Sequence, residues 1–292
     1  MPAGAVGRHA ERRARDAATS PLASGAARTG FAARGVVYLI VGWLAVLAAA
    51  GVGGGTTDTH GALGALYQEP FGRMLLTLVA IGLLAYALYS LAQGMLDLDG
   101  RGSDARGLTN RAGSVVAAVS YGGLALAAAQ LVTTGVSRGS SSDASTQDWT
   151  ATLLGLPLGP LLVVAVAGVV AGMAVVQLRH AASADFLRRL DLSAAGGQQR
   201  TWVERLGRTG LAARGVVFGV IAVFLAVAAL HRDPNEAVGL GGALQWLAQQ
   251  PAGQLLLGLV GLGLLTYGVF SLAESRYRRL PGSGYEGAAT SR

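Results

Sequence analysis

The segment Arg28-Thr-Gly-Phe-Ala-Ala-Arg-Gly-Val-Val-Tyr38 recurs further along the chain as Arg208-Thr-Gly-Leu-Ala-Ala-Arg-Gly-Val-Val-Phe218, with nine of eleven positions identical. The similarity continues downstream in the pairs Gly61 and Gly242, Leu63 and Leu244, Pro70 and Pro251, Gly72 and Gly253, and Tyr86 and Tyr267. Agreement at so many positions is not expected by chance, so the chain contains an internal repeat.

A third and more divergent copy lies between these two. It keeps the spacing of the first copy at Arg111, Gly113, Tyr121 and Pro157-Leu-Gly159. Ala117 stands at the position of Arg34, so this copy lacks the second arginine of the motif.

The composition favours a lipid environment. The chain of 292 residues is 52% hydrophobic and only 13% charged, whereas a soluble domain has about a quarter of its residues charged. Six apolar stretches approach the ~20 residues that a helix needs to cross a bilayer. They lie at residues 36–52, 74–95, 114–132, 153–178, 211–230 and 255–272. The sequence therefore predicts six transmembrane helices, two in each repeat.

The distribution of arginine predicts the orientation. All 23 basic residues are arginine, and only Arg73, Arg138 and Arg232 fall on the side of the predicted helices opposite the termini. The positive-inside rule then places both termini in the cytoplasm. The membrane orientation therefore explains the excess of arginine in the chain, and nucleic-acid binding is not needed to explain it.

Units with an even number of spans all enter the membrane in the same direction. We therefore expect an all-α membrane fold of three tandem parallel two-helix repeats, related by a pseudo-threefold axis along the membrane normal. The expected segments are a disordered cytoplasmic tail at 1–26, repeats at 27–96, 110–178 and 200–276, linkers at 97–109 and 179–199, and a cytoplasmic tail at 277–292.

The motif Arg-x-Gly-x-Ala-Ala-Arg-Gly-Val-Val-Tyr and its triple recurrence resemble the bacterial, mainly actinobacterial, membrane proteins of the domain of unknown function 1206 family. The resemblance runs from about residue 27 to residue 279. It implies an inner-membrane protein of three two-helix repeats, and it implies no activity. The middle copy departs from the pattern in lacking the second arginine and in carrying a longer outer loop at 138–148.

Two sets of residues are candidates for a site. The first is the repeated arginine pair of the motif, Arg28 with Arg34 and Arg208 with Arg214, which could hold anionic lipid headgroups or another anionic ligand, or could serve only as positive-inside anchors. The second is a set of hydroxyl groups that could line a polar interior or simply join helices by hydrogen bonds: Tyr38, Tyr86, Tyr121, Tyr267, Ser90 and Ser271. Asp58 and Asp143 read as solvated outer-loop charges.

No motif in the sequence predicts a chemistry. The chain has no cysteine and no lysine, and its four histidines have no ligand spacing, so we expect no metal, cofactor or catalytic group. The favoured interpretation is a non-enzymatic scaffold, envelope or partner- and lipid-binding protein that meets an unidentified membrane protein. No charged residue stands near the middle of a predicted span, and the one at an edge is Arg214. The alternative is a small transporter or channel with a substrate path between the three helix pairs.

Overall fold

The computed structural model describes residues 20–52, 58–96, 105–135, 141–193 and 196–279. Within these ranges the chain forms nine α-helices, two short 3₁₀ helices and no strand longer than an isolated bridge. The α-helices are α1 Pro21–Ala49, α2 Thr59–Gln68, α3 Gly72–Leu96, α4 Ala105–Thr134, α5 Ser142–Leu154, α6 Gly159–Ser183, α7 Gly197–His231, α8 Leu240–Ala248 and α9 Gly253–Tyr277. The 3₁₀ helices are Asp185–Arg189 and Pro234–Glu236.

Six of these helices, α1, α3, α4, α6, α7 and α9, are long and apolar enough to cross a membrane. They coincide with the six predicted spans, so the prediction of an all-helical, multi-pass membrane protein is confirmed. Large apolar side chains on their outer faces, such as Leu78, Ile81 and Leu88 on α3, are exposed. Such a surface is suited to lipid and not to water.

Four of the six long helices extend beyond the predicted spans at both ends. By contrast, α1 ends at Ala49, before residue 52, and α6 begins at Gly159, after residue 153, because the predicted fourth span ran into the short helix α5. The helix α7 begins at Gly197, well before the predicted start at residue 211, because polar residues continue a helix without raising its hydropathy. The helix α1 begins at Pro21, where Ser20 caps it by accepting a hydrogen bond from the amide of Ala23 at 3.2 Å. The greater part of the predicted tails and of the linker at 97–109 lies outside the described residues.

Each repeat contains a short helix between its two long ones, which the sequence analysis did not predict. These helices, α2, α5 and α8, follow the first long helix of each repeat on the side opposite the termini. Each is followed by a turn in which one residue has a left-handed backbone immediately before the glycine that opens the next helix, at Phe71, Leu158 and Ala252. The common turn geometry shows that all three connections are copies of one unit.

The repeats close into a ring. The second long helix of each repeat packs along the first long helix of the next: α3 on α4, α6 on α7, and α9 back on α1. The cyclic order confirms the pseudo-threefold arrangement. Within a repeat, α1 packs closely on α3 and α7 on α9, but α4 and α6 of the middle repeat touch much less.

Two equivalent glycines allow the close packing within the first and third repeats. A Cβ atom on Gly30 would lie 2.7 Å from the Cβ of Tyr86, and one on Gly210 would lie 2.5 Å from the Cα of Tyr267. Gly113, their counterpart in the middle repeat, faces the flexible side chain of Met173 instead of a tyrosine backbone. The α4 and α6 helices are correspondingly less tightly joined.

The short outer helices are joined by two aspartates. Asp58 accepts hydrogen bonds from the amide of Gly61 at 2.7 Å and from the amide of Ser142 in the next repeat. Asp143 accepts from the amides of Gly239 and Gly242 at 2.6 and 2.9 Å. Each carboxylate thus caps the first turn of the next outer helix, where unpaired N–H groups favour an anion. The expectation that both are solvated loop charges was wrong, because adjacent repeats bring backbone donors to them.

Candidate functional site

A cavity of about 450 Å³ lies between the three repeats, at the axis of the ring. On α7 its lining extends from Leu211 to Leu225, a distance of about 21 Å at the helical rise of about 1.5 Å per residue. Arg189 and Arg278 line it near the end that holds the termini, and Ser142 and Gly239 line it near the outer helices. The cavity therefore follows the axis through much of the bundle.

Equivalent positions of the three repeats face this cavity. Counted from Gly30, Gly113 and Gly210 on the first long helix, and from Gly72, Gly159 and Gly253 on the second, they form five sets. The sets are Arg34, Ala117 and Arg214; Tyr38, Tyr121 and Phe218; Tyr86, Met173 and Tyr267; Ser90, Gln177 and Ser271; and Gln93, His180 and Glu274. All of them line the cavity except Ser271, which is fully buried.

The first of three equivalent subsites is centred on Arg34, whose side chain is only 4% exposed. Its guanidinium donates to the hydroxyl of Tyr86 at 2.6 Å, within its own repeat. It also donates to the hydroxyl of Ser271 at 2.7 Å and to the carboxylate of Glu274 at 2.5 Å, both on α9 of the third repeat. The Arg34 charge is therefore neutralised by a buried ion pair between repeats.

Aromatic rings complete the Arg34 subsite. The guanidinium carbon lies 4.9 Å from the ring centre of Phe31, 4.8 Å from that of Tyr86 and 5.2 Å from that of Tyr267. Ring faces attract a cation, and they do so more strongly where water is excluded. Because Gly30 lets the backbone of Tyr86 approach α1, the motif itself places both the arginine and its aromatic partner.

The second subsite is centred on Arg214 and lacks a carboxylate. Arg214 donates to the hydroxyl of Tyr267 at 2.6 Å, as Arg34 does to that of Tyr86. The positions that correspond to Ser271 and Glu274 are occupied here by Gln177 and His180 of the middle repeat. No aspartate or glutamate in the described ranges forms an ion pair with Arg214. Its guanidinium lies instead against the ring faces of Tyr38, Phe218 and Tyr267, which attract a cation but carry no negative charge.

The third subsite has no charge. Ala117 takes the place of the arginine, Met173 that of the tyrosine, and Ser90 and Gln93 of the first repeat complete it. Gln93 accepts a hydrogen bond from the hydroxyl of Ser114 at 3.3 Å. The three subsites thus differ in charge: one holds a neutralised arginine, one an uncompensated arginine, and one no arginine.

Several polar atoms around the cavity have no hydrogen-bond partner within the part of the chain that the structure describes. They are Arg214 Nε, the hydroxyl of Tyr121 and Gln177 Oε1. Tyr121 is 6% exposed and Gln177 is 9% exposed. Buried polar groups are almost always paired, and those that are not call for an explanation such as a bound ion or ligand.

The structure separates the two arginines of each predicted pair. Arg28 is partly exposed and donates to the carbonyl of Arg276 at 2.8 Å, and Arg208 is exposed and donates to the carbonyl of Ala182 at 3.0 Å. Arg34 and Arg214 instead lie inside the bundle. The helices continue past them and neighbouring repeats cover them, so an anion that binds there would be inside the bundle. That these arginines hold an anionic headgroup or another anionic ligand stays a prediction.

The hydroxyl residues predicted for a polar interior, Tyr38, Tyr86, Tyr121, Tyr267, Ser90 and Ser271, are all buried. The rings of Tyr38 and Tyr267 are 4.9 Å apart, and those of Tyr86 and Tyr121 are 4.8 Å apart, both edge to face. They place aromatic and hydroxyl groups of different repeats around one axis. Whether they contact a solute stays a prediction.

Sequence analysis missed His180 and Glu274 and did not relate Gln177 to the equivalent Ser271. The predicted sixth span ends at residue 272, two residues before Glu274. The middle copy is too divergent for its residues to be aligned one by one. Counting from the Pro-x-Gly turn of each repeat would have identified all three positions. No charged residue stands near the middle of a predicted span, but Arg34, Arg214 and Glu274, at or beyond the span ends, lie inside the helical bundle.

The chain belongs to the family described as Domain of Unknown Function (DUF1206), whose sequence model matches it three times, at residues 29–97, 112–184 and 209–278. The three matches coincide with the three structural repeats, and they confirm the resemblance seen in the sequence. The chain is also 34% identical to the uncharacterized protein YxxB of Bacillus subtilis (strain 168), over 90% of this chain and 94% of that protein. No solved structure matches it.

Proposed function

We propose that this multi-pass membrane protein binds a small anion in its axial cavity and carries it across the membrane without catalysing a reaction. The observation that carries the proposal is the uncompensated charge of Arg214 inside the ring of repeats. An ionisable side chain in the interior of a membrane protein is costly and usually marks a pathway for a substrate or ion. An anion would supply the missing negative charge.

The charge and size of the cavity support the same function. Four arginines line it, Arg34, Arg189, Arg214 and Arg278, against one glutamate. Its volume of about 450 Å³ falls in the range of about 300–1,000 Å³ that is usual for small-molecule sites. The sequence-based preference for a scaffold rested on the apparent lack of buried charge, and the positions of Arg34, Arg214 and Glu274 remove that argument.

The lipid contacts proposed from the sequence are better suited to Arg28 and Arg208. Each donates to a carbonyl in the last turn of a neighbouring helix on the side of the termini, Arg28 to Arg276 of α9 and Arg208 to Ala182 of α6, and each leaves part of its side chain accessible. Basic groups next to an anionic leaflet contribute about 1 kcal/mol each. We assign them an anchoring role at the headgroups and not a role in the cavity.

We propose further that both termini lie in the cytoplasm, with the outer helices on the opposite face. The chain has no cysteine, so single cysteines can be placed at Ser193 and at Asn235, both of which are exposed. In intact cells an impermeant thiol reagent should label the Asn235→Cys variant and not the Ser193→Cys variant. Labelling of Ser193→Cys and not of Asn235→Cys would show that the orientation is the opposite of the one proposed.

Transport can be tested with purified protein in liposomes, using chloride, inorganic phosphate and butyrate as probes. We expect flux of at least one of these anions above that of protein-free liposomes. Arg214→Gln should lower this flux by more than about tenfold, since removing one partner of a buried charge interaction costs about 2–5 kcal/mol.

The matched control is Arg208→Gln, which removes an exposed arginine from the same helix, outside the cavity lining, and should leave the flux unchanged. Equal flux in the Arg214→Gln variant and the unmodified protein would contradict the proposed role of Arg214. Absence of flux for all three probes would contradict transport of small anions.

A further inference from the structure

We infer that the Arg214 subsite binds the carboxylate of a small aliphatic monocarboxylic acid, with its hydrocarbon chain extending along α7 toward the outer helices. This inference rests on the proposed function and specifies the class of anion. It depends on a comparison between two subsites of the same molecule. One contains its own carboxylate, and the other lacks one.

The Arg34 subsite shows how the fold binds a carboxylate. There the Glu274 carboxylate takes a guanidinium N–H at 2.5 Å, next to a tyrosine hydroxyl and a serine hydroxyl that the same guanidinium contacts. The other oxygen of Glu274 accepts from Arg278 at 2.8 Å, so the carboxylate contacts Arg34 through one oxygen. The pseudo-threefold rotation carries this arrangement onto Arg214, Tyr267 and the middle repeat.

The Arg214 subsite has no residue equivalent to the Glu274 carboxylate, but it keeps hydrogen-bond donors. His180 stands at the position of Glu274, and Gln177 at that of Ser271. Arg214 Nε and the Tyr121 hydroxyl are buried donors without a partner among the described residues. Gln177 Oε1 is likewise unpartnered, and turning this amide over would present its NH₂ group as a third donor. A carboxylate oxygen can accept from each of these groups.

The local charge selects a monoanion. Arg34 is neutralised by Glu274, and the two guanidinium groups flank the ring of Tyr267, at 5.2 Å for Arg34 and 4.9 Å for Arg214. Glu274 also pairs with Arg278, nearer the end that holds the termini, so Arg214 is the guanidinium at this depth that no carboxylate of the described residues contacts. In a medium of low polarity a single negative charge balances it, whereas a dianion would bring a second charge that has to be buried unpaired.

Beyond Arg214 the lining becomes apolar. Phe218, Ile221 and Leu225 follow Arg214 on the face of α7 that lines the cavity, at the spacing of successive helical turns. Val170 on α6 and Leu124 on α4 line the same region. A hydrocarbon chain attached to the bound carboxylate would be buried here, away from the arginine-lined end. Inorganic anions cannot use this surface.

Binding can be measured by calorimetry on the purified full-length protein in detergent, with acetate, butyrate, hexanoate, chloride and phosphate as probes. We expect affinity to rise about fourfold for each added methylene, and butyrate to bind more tightly than chloride or phosphate. Arg214→Gln should abolish butyrate binding, whereas Arg208→Gln should not affect it.

A second pair of variants tests the comparison between subsites. His180→Glu places a carboxylate where Glu274 stands in the Arg34 subsite, so the new side chain should occupy Arg214 and abolish butyrate binding. His180→Gln is the matched comparison, because it also removes the imidazole but adds no charge, and it should bind butyrate more tightly than His180→Glu. If His180→Glu does not yield folded protein, the comparison of Arg214→Gln with Arg208→Gln still tests whether butyrate binds at Arg214.

Equal butyrate binding by the His180→Glu and His180→Gln proteins would overturn the inference, as would chloride or phosphate binding as tight as that of butyrate. Binding and flux measurements together distinguish a failure of this inference from a failure of the proposed transport function. Butyrate binding without flux would leave this site standing and contradict transport. Arg214-dependent flux of chloride or phosphate without butyrate binding would leave transport standing and contradict the carboxylate site.

Discussion

Replacing Glu274 by methionine is expected to lower the free energy of unfolding by about 3–5 kcal/mol, the range seen when one partner of a buried ion pair is removed. Glu274 accepts from Arg34 at 2.5 Å and from Arg278 at 2.8 Å, so its loss leaves two largely buried guanidinium groups without a carboxylate. Since Arg34 belongs to the first repeat and Glu274 to the third, the change also weakens the contact that closes the ring. The measurement is a denaturant titration of the purified protein in mixed micelles.

The reciprocal change should be milder. Arg34→Met leaves Glu274 paired with Arg278, so we expect a smaller loss than for Glu274→Met. The double variant should be more stable than Glu274→Met alone, because it no longer buries the unpaired Arg34 charge. Glu236→Met is the control: Glu236 pairs with the exposed side chain of His231, and a surface pair contributes only about 0–1 kcal/mol. Equal stability of the Glu274→Met protein and this control would contradict the structural role of the ion pair.

Alanine at Gly30 or Gly210 is expected to destabilise the protein by about 1–3 kcal/mol or more, the usual effect of overpacking a close contact. The new methyl group would lie 2.7 Å from Tyr86 Cβ in one case and 2.5 Å from Tyr267 Cα in the other. Because backbone atoms form part of both contacts, the helices would have to separate. The tyrosine hydroxyls would then move away from Arg34 and Arg214, so Gly210→Ala should also weaken anion binding.

Gly123 provides the control on α4, since a Cβ there would meet nothing within 4 Å. Gly123→Ala should be neutral or slightly stabilising, because alanine favours a helix over glycine by about 1 kcal/mol. The same mixed-micelle titration compares all three variants. A loss of stability in Gly123→Ala equal to that in Gly30→Ala would show that the effect is not one of close approach.

Hydropathy and repetition in the sequence were sufficient for the architecture. Crossing a bilayer requires long apolar helices, and the spacing of Arg28, Gly30 and Tyr38 is copied along the chain, so both the six spans and the threefold order could be predicted. The short outer helices were not predicted from hydropathy, because they are too short to span the membrane. Their joining by Asp58 and Asp143 depends on backbone amides of other repeats, which no local pattern reveals.

The candidate site, too, was predicted in part from the sequence and in part only from the structure. The sequence by itself determined which residues repeat, and so it singled out Arg34, Arg214, Tyr86 and Tyr267 without fixing their environment. Only the tertiary structure decided that these arginines point to a shared axis and that each is completed by the second long helix of the preceding repeat. Glu274 neutralises one arginine, and His180 leaves the other without a carboxylate, because the ring brings together residues that lie far apart in the chain. Charge balance at a buried arginine is a property of neighbours in space, and the sequence order does not supply it.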